Sequence, residues 1–135
     1  MKLAKQAVIG LLAVSMTAPL QAQDRSLSEN QVELYSEMLA MSTLCTELRD
    51  FEVQSADVQR YVNLQLEGAP ESDAAAVQAR SDTKFNIIRT TADNVRNMQQ
   101  GSRRTRAVNA HIAQMMGRCN RLAEHRQAST YFLRR

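Results

Sequence analysis

Residues 34–48, LYSEMLAMSTLCTEL, carry apolar side chains at Leu34, Met38, Met41, Cys45 and Leu48. That spacing of four, three, four and three keeps one stripe on a helix of 3.6 residues per turn. Leu44 and Phe51 widen the stripe. Residues 108–122, VNAHIAQMMGRCNRL, repeat it with Val108, Ile112, Met115, Cys119 and Leu122. Each seam holds one of the two cysteines of the chain. If the two helices lie side by side and antiparallel, Cys45 faces Cys119. An even cysteine count in an exported chain then predicts a disulfide. Gly117, unfavourable inside a helix, would help the two backbones approach there.

Between these seams the sequence predicts two further helices. From Asp24 to Glu67 there is neither Gly nor Pro, and Ser26 or Ser28 can cap the first helix. The first stripe fails after Phe51. Ser55 is a plausible new N-cap, followed by Val58, Tyr61, Val62 and Leu66. A single helix over 28–66 is the alternative. Gly68-Ala69-Pro70 stops this region, and Pro70-Glu71-Ser72-Asp73 starts another helix. Its stripe runs Ala74, Val77, Ser81, Phe85, Ile88, Ala92, Val95 and ends before Gly101-Ser102. The expected fold is therefore all-α: a small antiparallel four-helix bundle, or three helices if 28–66 is one, with the first and last helices as neighbours.

The N-terminus reads as an export signal. Lys2 and Lys5 precede an apolar run from Ala7 to Met16, and Ala18-Pro19-Leu20-Gln21-Ala22 suits cleavage after Ala22. A spanning helix needs about 20 apolar residues, more than this run supplies. The expectation is a signal peptide over 1–22 and a single helical domain over 23–135 with a basic C-terminal helix and tail. Such a protein is periplasmic or secreted.

Charge is unevenly placed. Residues 23–100 hold 13 acidic and 7 basic side chains, whereas 101–135 hold eight Arg and only Glu124. The expected consequence is that the basic last helix lies against the acidic first one, whose Glu29, Glu33 and Glu37 form an i, i+4 row. Arg103, Arg104 and Arg106 crowd the turn before the last helix, and Tyr131-Phe132-Leu133-Arg134-Arg135 closes the chain. Arg103, Arg104, Arg106, Tyr131, Phe132, Arg134 and Arg135 are the candidates for contact with a partner or an anionic membrane surface. Folding of the tail back over the bundle is the alternative. Nucleic acid is a poor partner for an exported chain.

Catalytic signatures are lacking in the sequence. It has no Gly-x-Ser-x-Gly, Gly-rich phosphate loop, Cys-x-x-Cys or His-Glu-x-x-His. His111 and His125 lie 14 residues apart and cannot share an ion on one helix. No catalytic residue, metal ligand or cofactor is assigned. The expected function is a non-enzymatic binding or accessory protein of the cell envelope, monomer or homodimer, acting on another envelope or secreted protein.

Two resemblances qualify that expectation. Leu27-Ser28-Glu29-Asn30-Gln31 resembles the Leu-Thr-x-x-Gln motif of small helical periplasmic stress chaperones, with Ser in place of Thr. It implies chaperone-like activity. Met38 (or Met41) on the first helix and His125 near the end of the last resemble the ligands of b-type haem cytochromes, periplasmic four-helix bundles of similar size. That likeness implies haem held by Met38 and His125 in an electron-transfer protein.

Overall fold

The computed structural model describes residues 25–135; the expected signal peptide and its cleavage point lie outside them. The chain is mostly helical, with α1 (Glu29–Leu44), α2 (Ser55–Leu66), α3 (Glu71–Arg96) and α4 (Ser102–Glu124). A two-stranded antiparallel sheet joins β1 (Phe51–Val53) to β2 (Phe132–Arg134).

The stretch 28–66 forms two helices, and the first ends sooner than its apolar seam suggests. α1 stops at Leu44 and tightens into a 3₁₀ turn over Cys45–Glu47, where the Thr46 hydroxyl donates to the Thr43 carbonyl. Phe51, read as part of the helical stripe, sits in β1 and is buried. Glu52 pairs with Leu133 and Val53 with Phe132, while Arg135 N–H donates to Asp50 O (2.9 Å) and Gln54 N–H to Tyr131 O (3.1 Å). α2 then begins at Ser55, as its sequence predicts, but Ser55 is no cap. Its hydroxyl donates to Ser42 O on α1 (2.9 Å) and so ties the two helices together.

α1 is the central element. α3 lies along its length, and α2 and α4 make smaller contacts with it. Its buried set includes Val32, Tyr35, Ser36 and Ala40 as well as Met38, Met41 and Leu44, which is more than one stripe. A helix buried on several sides belongs inside, not in one corner of a square bundle. The two buried serines of α1 are satisfied by their own helix, Ser36 through Glu33 O and Ser42 through Leu39 O, both at 2.9 Å. Burial therefore leaves neither of these hydroxyls unpaired, a state that would cost about 1–3 kcal/mol each.

α1 and α3 run parallel. Glu29 meets Arg80, Glu33 meets Arg80 and Lys84, and Glu47 meets Arg89 (2.5 Å), both series ascending together. The acidic row of α1 is thus matched mainly by α3; from the basic α4 only Arg118 reaches it. Cys45 and Cys119 form a disulfide with Cα atoms 5.9 Å apart, both fully buried. A Cβ at Gly117 would meet only the Arg121 guanidinium, at 3.6 Å. The glycine therefore does not serve the approach of α1 and α4.

The core ends abruptly along the α3–α4 pair. From Arg89 to Gln114 no residue is buried. Ala92, Val95, Met98, Ala107 and Val108 are half-buried, and Ile112, on the predicted seam, is 45% exposed. The distal turns of α3 and the first turns of α4 form a two-helix arm beyond the core, closed by Gly101 at φ +146°, a value side chains rarely adopt.

Candidate functional site

Glu37 is where three helices meet. Its two oxygens accept from Arg118 Nε (2.7 Å) and Nη2 (2.6 Å), and Lys84 Nζ lies 3.2 Å away. Burial opposes ionisation of Glu37, yet Arg118 and Lys84 outweigh it and hold the carboxyl below its ordinary value. The hydrogen bonds that Arg118 donates to Glu37 in turn raise the pKa of Arg118. At the open end of the row, Arg80 lowers Glu29 through a hydrogen bond and its charge. The row is a structural ladder, fully matched by cations.

Beside this junction lies a groove of about 630 Å³ between α1 and α4, with Lys84 of α3 at one side. α1 supplies Asn30, Glu33, Leu34 and Glu37; α4 supplies Gln114, Arg118, Arg121 and Leu122, and His125 follows as its C-cap. Both carboxylates are already paired. Arg121 is exposed and has no carboxylate partner among the described residues. His125 Nδ1 accepts from Gln127 N–H (3.2 Å), so the neutral ring carries its proton on Nε2. Sequence reasoning passed over Asn30, Gln114 and Arg121. A signal was present: Gln114, Arg118, Arg121 and His125 recur at four, three and four, a polar stripe beside the apolar seam.

The seven candidate contact residues separate into two groups. Arg103, Arg104 and Arg106 lie in the first turns of α4, at the end of the arm, with no acidic side chain in that turn and no side-chain cap. No ion pair engages any of the three among the described residues. The tail, by contrast, is built into the fold. Phe132 is 1% exposed and sits in the core, so its side chain is withdrawn from any partner. Tyr131 stacks on Tyr61 with centroids 5.2 Å apart, Arg134 pairs with Glu124, and Arg135 approaches Glu52 at 3.7 Å.

Met38 and His125 do not line one groove. Met38 is fully buried in the core, whereas His125 is exposed and lines the groove without Met38. Two axial ligands would have to line one cavity. The chaperone-like string has a local explanation: Ser28 Oγ accepts from Gln31 N–H (3.2 Å) and Gln31 Oε1 accepts from Ser28 N–H (2.8 Å), a capping box. Leu27 N–H donates to Asp73 (2.8 Å), fixing the start of α3 against that cap. Among the described residues no group of three or more His, Cys, Asp or Glu is placed to hold a metal ion, and no helix is long and apolar enough to cross a membrane. No known family, curated protein or solved structure matches the chain.

Proposed function

We propose that this chain is an exported, non-catalytic binding protein that presents its α3–α4 arm to an acidic face of another envelope or secreted protein. One observation carries the reading. Among the described residues Arg103, Arg104 and Arg106 make no ion pair at the N-terminus of α4, where the helix dipole disfavours cations by about 0.3–1 kcal/mol each. A fold that matches every glutamate of its α1 row leaves its densest positive cluster without a partner. The arm's half-covered seam at Val108 and Ile112 lies next to that cluster in sequence and adds apolar area to the contact. The disulfide suits export.

The test is site-specific photocrosslinking in cells that export the protein. A photoreactive residue replacing Thr105, exposed on the arm, should capture one discrete protein, and the same residue replacing Gln65 on α2 should not. The capture should disappear when Arg103, Arg104 and Arg106 are all changed to Gln. Equal capture from both positions, or capture that survives the triple change, overturns the reading.

A further inference from the structure

The groove between α1 and α4 has an imbalance of its own, independent of the arm. Its carboxylates are occupied: Glu33 takes Arg80 and Lys84, and Glu37 takes Lys84 and both arms of the Arg118 fork. The cation and the ring N–H beside them are not. Arg121 offers a guanidinium with no carboxylate partner, and His125 offers Nε2–H once Gln127 has fixed its tautomer. Gln114 and Asn30 add amides at either wall, and Leu34, half-buried, lines the same groove with apolar surface.

We infer that this groove binds a small carboxylate carried on a short apolar body, with Arg121 and His125 Nε2–H holding the carboxylate and the half-buried Leu34 contacting the body. A cation is disfavoured because no carboxylate in the groove is free to receive it. A purely apolar ligand would leave the Arg121 guanidinium desolvated beside it and unpaired.

Decanoate is the probe, added to the mature, oxidised protein and followed by backbone amide shifts in ¹⁵N-resolved spectra. Saturable shifts at Asn30, Leu34, Arg121 and Leu122 are expected. Arg121→Gln, an exposed change that breaks no ion pair, should weaken binding about tenfold, the worth of one charge-assisted bond. Decyltrimethylammonium, with the same chain and the opposite charge, should not saturate these residues. Three results each overturn the assignment: no saturable shift with decanoate, equal affinity in Arg121→Gln, or equal binding of the cationic probe. The triple arginine change on the arm should leave decanoate affinity unaltered, so failure here is distinct from failure of the arm as a docking surface.

Discussion

Gly117 and Glu37 occupy neighbouring ground and have opposite consequences for stability. Gly117 has ordinary helical backbone, and a Cβ there would meet nothing closer than the flexible end of Arg121 at 3.6 Å. Gly117→Ala should therefore stabilise the protein by about 0.4–1 kcal/mol, through helix propensity and a less free unfolded chain. Urea unfolding reads this directly, and a loss of stability would mean that a methyl group at this position is crowded. Glu37 is only 18% exposed and Arg118 15%, so solvent screens their pair little. Glu37→Gln should cost about 2 kcal/mol at neutral pH, since it leaves a half-buried guanidinium without its charge partner. Because the folded carboxyl titrates below its unfolded value, the contribution of Glu37 is fully present above the ordinary glutamate pKa of about 4.3. It is lost as pH falls through the depressed folded value. The difference between wild type and Glu37→Gln should shrink steadily below that point. A gap that stays constant down to pH ~2 would assign the effect to packing and not to ionisation.

At the scale of elements, α2, α3 and α4 were legible because each carries a turn signal and one apolar stripe. Ser55, Pro70 and Ser102 mark their starts closely: the helices begin at Ser55, Glu71 and Ser102. α1 was legible as a helix but not as the central one. Its strict seam hid the burial of Val32, Tyr35 and Ser36, and a four-three pattern cannot report that a second face is also covered. The sheet was not legible at all. Phe51-Glu52-Val53 does alternate, but three residues are too few to separate from a helical stripe, and their partners lie some 80 positions away at 132–134. Likewise the groove needed the α1–α4 approach before Asn30, Arg121 and His125 could be seen together. The tail's role as a structural strand yields a prediction. Phe132→Ala removes a fully buried ring packed in the core and should cost about 3–4 kcal/mol. Truncation after Thr130 should cost at least as much, because it also removes the β1–β2 ladder and the Tyr61–Tyr131 contact. Thermal denaturation of both variants checks the claim; a tail that merely awaited a partner would leave the midpoint unchanged.

For the molecule as a whole, the disulfide sits where the core gives way to the arm. α4 buries only Met115, Cys119 and Leu122, all in its second half, while its first half extends into the arm. Force or fluctuation applied to the arm is therefore resisted at a short stretch, and Cys45–Cys119 is the covalent element within it. The bridge closes a loop of 74 residues, which in the chain-entropy treatment stabilises the fold by about 4 kcal/mol. Against a typical total of about 5–15 kcal/mol, that is a large share. Replacing both cysteines by Ala should lower the urea midpoint accordingly while α1, α2 and the proximal part of α3 keep their own contacts. The loss has a location as well as a size. If the clamp holds α4 in the native state, amide exchange in 102–124 and 132–134 should accelerate more than exchange in α1. If the bridge acts only by restricting the unfolded chain, the exchange of all core amides should rise together. The first outcome makes the bridge the anchor of a projecting arm, which is what a surface meant to engage a partner requires at its base; the second makes it a general staple with no bearing on the arm.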